Sequence, residues 1–139
     1  MDYKKFGDKV FVRIDKGEEI VETLKHVCKK LDIKAGTITG IGATDKAVIG
    51  LFDLKTKKYH STEFVGDHEI APIHGNISTM NEEIYLHLHA NLCNAEHNSF
   101  GGHLTSAVVS ATFEGVIEII NGKIVREFDE NIKLNLLKL

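Results

Sequence analysis

Only one stretch of this chain repeats its apolar residues at helical spacing. Ile20, Leu24, Val27 and Leu31 recur every three or four positions, and Glu22, Lys25, Lys29 and Lys30 fall largely on the other side. Asp15 followed three residues later by Glu18 resembles a capping box and predicts a helix start, while Gly36 supplies the expected stop. Cys28, beside Val27, is expected in the core. Nearly everything else reads as strand. Residues 9–14 alternate Val10, Val12 and Ile14 against Phe11 and Arg13. Residues 47–52 and 58–65, separated by a polar stretch, predict an antiparallel hairpin. Further strands are expected over residues 69–78, 83–91, 103–120 with an interruption, and 123–128, with Asn121-Gly122 as a hairpin turn between the last two. The expected fold class is α+β: a largely antiparallel sheet packed with one principal helix, as a single domain over residues 1–139.

The bulk properties agree. A chain of 139 residues can bury a core without disulfides, and 42% hydrophobic with 27% charged residues is the balance of a folded domain. Pro72 is the only proline. Cys28 and Cys93 lie far apart without CxxC spacing, which fits free thiols in a reducing compartment. The first residues lack an apolar signal region, and no apolar run approaches the ~20 residues of a membrane span, so a cytoplasmic location without membrane contact is expected. Thr37-Ile38-Thr39-Gly40-Ile41-Gly42-Ala43 is glycine-containing but lacks GxGxxG and a Walker lysine, and it reads into a strand. Such glycines mark bulges or close backbone approach.

Charge is unevenly placed. The net charge is −3, and no lysine or arginine occurs between Lys58 and Lys123, a stretch holding Glu63, Asp67, Glu69, Glu82, Glu83, Glu96, Glu114 and Glu118. A protein that grips DNA unaided presents a clustered basic face, and here the lysines outside the acidic stretch make at most a small one.

Seven of the eight histidines lie between His60 and His103, inside that acidic stretch. If residues 83–91 form a strand, His87 and His89 project from one face and Leu86 and Leu88 from the other. His103 follows Gly101-Gly102, a pair that lets the backbone turn tightly before the next strand. Three neutral imidazoles form an open ligand set for zinc or a similar divalent ion. Spacing alone leaves two readings open, metal ligands or hydrogen-bonded sheet histidines.

Several segments, in order, resemble the PPC domain ("plant and prokaryote conserved", DUF296). They are Gly40-Ile41-Gly42-Ala43, Ile49-Gly50-Leu51-Phe52-Asp53, Tyr59, Glu69-Ile70, Gly75-Asn76-Ile77-Ser78, His87-Leu88-His89, Gly101-Gly102-His103-Leu104 and Arg126-Glu127-Phe128-Asp129-Glu130. The most specific part is HLH followed by GGHL. The resemblance implies a mixed, largely antiparallel sheet, a homotrimer, and a divalent metal, zinc first, held by His87, His89 and His103 near subunit contacts. Plant relatives join this domain to AT-hook motifs that bind AT-rich DNA. This chain has no Arg-Gly-Arg core, and Arg13 and Arg126 are its only arginines, so any DNA contact is expected to be weak or indirect.

Two functions follow as expectations. The first is a trimeric binding or regulatory module with a three-histidine metal site and a protein partner. The alternative is a small metal-dependent enzyme of hydrolase or lyase type that activates water. Glu69, Glu83 and Glu96 are candidate general bases, but spacing places none of them at the site, no catalytic residue is assigned, and no serine or cysteine has a nucleophile's setting. Cys93, His97 and His74 are weaker candidates: the first two lie in the loop before Gly101, and His74 is expected to make a structural hydrogen bond. Arg126 and Asp129 suggest an ion pair near a strand end.

Overall fold

Alternating segments become strands throughout a computed structural model that describes residues 1–139. The elements run β1 (Asp2–Phe6), β2 (Lys9–Asp15), α1 (Ile20–Lys30), β3 (Gly36–Asp53), β4 (Lys58–Met80), β5 (Glu83–Cys93), β6 (Ser99–Ile119), β7 (Val125–Asp129) and β8 (Leu134–Lys138). One sheet holds all eight strands in the order β1-β2-β6-β3-β4-β7-β8, with β5 joining both β4 and β6. Every pairing is antiparallel except the parallel contact Thr79↔Val125 between β4 and β7. The sheet is thus mixed. The architecture is mostly sheet with one helix of 11 residues, a balance further toward β than an even α+β label suggests.

Three strands are long, at 18, 23 and 21 residues for β3, β4 and β6. Register shifts at Gly40/Gly42 and Thr44/Lys46 bend β3 against β4, and further shifts bend it against β6. Bulges add twist and curl. Because β3 pairs with β4, β4 with β5, β5 with β6, and β6 with β3, these four strands close into a ring. One core cluster of 24 buried residues fills the inside, including Ile73, Ile77, Leu88, Leu92 and Phe113.

Helix α1 buries Ile20, Val21, Leu24, Val27 and Cys28 in that core. An isolated helix of this length is marginal in water, so docking of this apolar face holds it, each fully buried aliphatic side chain contributing about 1.5–3 kcal/mol. The helix boundaries differ from the expected ones. Glu19 is the N-cap: its carboxylate accepts from the N–H groups of Val21 at 3.1 Å and Glu22 at 2.6 Å, and from Ala107 N–H on β6 at 2.9 Å. The Asp15/Glu18 pair forms a turn just upstream, where the Glu18 carboxylate accepts from Asp15 N–H. At the other end Leu31 is the C-cap and Asp32 takes the left-handed conformation at φ 52°. Gly36 instead opens β3, where a Cβ would collide with the Glu118 carbonyl of β6.

The expected hairpin at Asn121-Gly122 does not form. Both edges of β6 are already occupied: Glu118 lies opposite Lys9 of β2 on one side and Thr37 of β3 on the other. The chain therefore leaves β6 and lays β7 beside the end of β4, and β8 pairs back on β7. Edge strands β1 and β8 are additions to the expected elements. No helix is long and apolar enough to cross a membrane.

Candidate functional site

The even-numbered residues of β5, Leu86, Leu88, Ala90 and Leu92, are buried, which turns His87 and His89 to the outer face as alternation requires. His103 enters from β6 directly opposite His89 and is also paired with Gly50 of β3. The seam that closes the strand ring therefore brings the three rings together. Their centroids form a nearly equilateral triangle with sides of 5.3, 5.3 and 5.6 Å. One ring nitrogen from each lies within 4.8 Å of the others. Two glycines permit this approach. A Cβ on Gly75 of β4 would run into the His87 carbonyl oxygen, and one on Gly102 would meet the carbonyl of Gly50.

His89 is exposed, while His87 and His103 are half-buried. Burial pushes the His87 imidazole below its usual range, helped by the Arg126 guanidinium and by His89. Burial pushes His103 down to about 4, helped by His87, His89 and Arg126. Both are neutral at pH 7, with a lone pair free to coordinate. No carboxylate acts on either ring.

Aromatic rings flank the trio. Tyr59 packs edge-on against His103 at 5.7 Å, and Tyr85 stands two residues before His87 on the same face of β5. Across from β5, β4 presents Asn76 opposite His87 and Ser78 opposite Tyr85. Arg126 of β7 reaches over both. Its Nε donates to Ser78 Oγ at 2.8 Å, its Nη2 to Asn76 Oδ1 at 2.8 Å and its Nη1 to the Asn135 carbonyl of β8 at 2.7 Å, and its guanidinium lies 4.8 Å from the Tyr85 ring centre. The expected Arg126–Asp129 ion pair is absent, because the Asp129 carboxylate accepts from the N–H groups of Asn131 and Ile132 in the β7–β8 turn.

The weaker candidates fall outside the cluster. His74 lies opposite His89 in the register, yet its exposed ring joins neither the trio nor a hydrogen bond. His97 sits in the β5–β6 turn at φ 63°, and Cys93 Sγ rests 3.7 Å from Ser99 Oγ. Glu83 is tied to Lys29 at 2.5 Å, and neither Glu69 nor Glu96 acts on the trio. Tyr85, Asn76 and Arg126 are the residues that sequence reasoning does not place at the site. The strand period could flag Tyr85, which shares the face of His87 and His89. The surface also carries a groove of about 660 Å³ between β1, β2, the start of β3 and the end of β6, which none of the three histidines lines.

The fold is shared with several solved structures. Similar solved structures include a candidate DNA-binding protein from Bacteroides thetaiotaomicron, 38% identical, with a TM-score of 0.96 over 99% of this chain and 96% of that one. A metal-containing protein from Archaeoglobus fulgidus is 30% identical, with a TM-score of 0.88 over 100% of this chain and 99% of that one. A plant- and prokaryote-conserved (PPC) protein from Pyrococcus horikoshii is 31% identical, with a TM-score of 0.84 over 99% and 96% of the two chains. No curated protein matches the sequence. Residues 1–121 match the sequence profile of the Plants and Prokaryotes Conserved (PCC) domain, and the chain belongs to that family.

Proposed function

We propose that this chain is a PPC-type binding and regulatory module built around a divalent metal site, with His87, His89 and His103 as the ligands and zinc as the ion. The carrying observation is the triangle of rings on the outer face, with donor nitrogens within 4.8 Å of one another. Tetrahedral zinc with Zn–N bonds of about 2.0–2.1 Å spaces its ligand nitrogens by about 3.3 Å. The present spacing of up to 4.8 Å is wider, so an ion would draw the three nitrogens together. The donor set fits: three imidazoles, two of them held neutral, suit a borderline-soft divalent ion and leave a coordination position open. A bound ion would supply Lewis-acid polarisation at that position. No carboxylate contributes to the shifts of His87 or His103, an arrangement that favours a binding role over hydrolysis.

A homotrimer is part of this reading. Support comes from the 660 Å³ groove, whose walls include Phe11 at 54% and Ile41 at 61% exposure, apolar surface suited to burial between subunits. The Archaeoglobus relative is described as metal-containing, in line with the proposed ligands. DNA contact, suggested by the description of the Bacteroides relative, would be weak or indirect here.

Elemental analysis of the purified protein tests the site. The expected result is about one divalent ion per chain, falling below about a tenth of that in His87→Ala and His103→Ala, since two imidazoles rarely retain zinc at an open site. Equal, substoichiometric metal in all three proteins would overturn the proposal.

A further inference from the structure

Arg126 is a buried cation without an anion. It is 6% exposed, and its three hydrogen-bond acceptors, the Ser78 hydroxyl, the Asn76 amide oxygen and the Asn135 carbonyl, are all neutral. No carboxylate lies within ion-pair distance of it, and its nearest aromatic neighbour is the Tyr85 ring, 4.8 Å from the guanidinium. Fully buried arginines are ordinarily paired, because desolvating a guanidinium is costly. Its five N–H groups make three hydrogen bonds here, which leaves two undonated.

The position of this cation is as telling as its isolation. Asn76, which receives Nη2, is the direct cross-strand partner of His87, and Tyr85, beneath the guanidinium, is two residues from His87 on the same face. Arg126 thus stands one residue step from the trio. Four of the eight acidic side chains of the middle segment are engaged elsewhere, Glu82 with Lys123, Glu83 with Lys29, Glu63 with Lys46 and Glu118 with Lys9, and none of the eight pairs with Arg126. A divalent ion on the trio and the Arg126 guanidinium would together bring three positive charges to this face, and no carboxylate pairs with Arg126 or acts on His87 or His103.

We infer that the outer face binds a small organic carboxylate whose charge is balanced jointly by the Arg126 guanidinium and the ion on the histidine trio, an inference that rests on the metal reading above. The guanidinium supplies a planar cationic fork, the geometry that matches a carboxylate. Tyr59 beside His103 and Tyr85 beside His87 bound the face with aromatic surface, which suits the carbon skeleton of an organic acid better than an inorganic phosphate. In this arrangement Arg126 is a ligand-positioning residue supplied by the C-terminal hairpin, beyond the residues matched by the family profile.

The test uses the full chain loaded with Co²⁺, whose visible absorption reports the coordination sphere. Propionate, inorganic phosphate and chloride are titrated separately. Propionate is expected to change the spectrum saturably, with an apparent Kd at least about tenfold below those of phosphate and chloride, the range for a hydrogen bond to a charged group. Arg126→Met should keep one cobalt per chain and weaken propionate by about tenfold or more, and Arg126→Lys, which keeps the cation but loses the fork, should weaken it less. The wild-type titration decides the matter even if Arg126→Met misfolds. One cobalt per chain with no spectral response to propionate overturns this inference and leaves the metal site standing, whereas no cobalt uptake overturns both. Phosphate binding as tight as propionate, or a folded Arg126→Met that binds propionate like the wild type, also overturns it.

Discussion

His103 shows how a single side chain can be both half-buried and available. Its ring is pressed between Tyr59, His87 and His89, and that desolvation holds the proton off until about pH 4. Because the folded-state value is lowered, the unfolded chain takes up the proton first as pH falls. The native state is therefore favoured fully above about pH 6.5, the ordinary imidazole value, and that advantage is lost as pH drops toward 4. His87 shifts in the same direction. In chelator-treated protein, the melting temperature is expected to fall between pH 6.5 and 4 more steeply than in His103→Gln. Parallel curves for the two proteins would contradict the assigned cause. At this scale the trio is legible in the sequence itself, because period-two alternation fixes His87 and His89 on one face. Arg126 is not. Its neighbours Ser78 and Asn76 lie 48 and 50 residues away in sequence, and no local pattern announces a contact of that separation.

Elements are legible where one side of the chain has to be apolar, and their ends are not. Val10, Val12 and Ile14 give β2 away because alternate residues enter the core, whereas β1 and β8 lie at the margins of the sheet. Asn121-Gly122 has a hairpin's local chemistry, but a hairpin also needs a free edge, and β6 has none. The helix start is displaced for a similar reason. Glu19, a poor cap by local preference, serves because its carboxylate also meets the Ala107 N–H of β6, a partner invisible in the helix's own sequence. Glu19→Ala removes all three acceptor contacts at once. Its expected cost is about 2 kcal/mol, at the upper end for a cap because one orphaned donor belongs to the sheet, read as a shift of the urea unfolding midpoint with an unchanged slope. A loss below about 0.5 kcal/mol would show that Glu19 is replaced by water at no cost.

For the whole molecule, charge decides what large partner it can hold unaided. The net charge is −3, and Lys9, Lys29, Lys46 and Lys123 are each within 4 Å of a glutamate of the acidic stretch, which removes four lysines from any basic face. Gel-shift measurement at near-physiological salt is expected to give a DNA Kd no tighter than about 10⁻⁶ M, without preference for AT-rich sequence, which is the range of purely non-specific contact. Tight, AT-selective binding by the isolated protein would sink the indirect role proposed above. The ring of β3, β4, β5 and β6 has a consequence in time. Three of its joints, β3–β4, β4–β5 and β5–β6, are hairpins between consecutive strands, whereas β3 against β6 joins segments far apart in sequence, the slow kind of pairing. Because His103 is also paired with Gly50 of β3, an ion on the trio would act as a latch on the β5–β6 hairpin beside that slow joint.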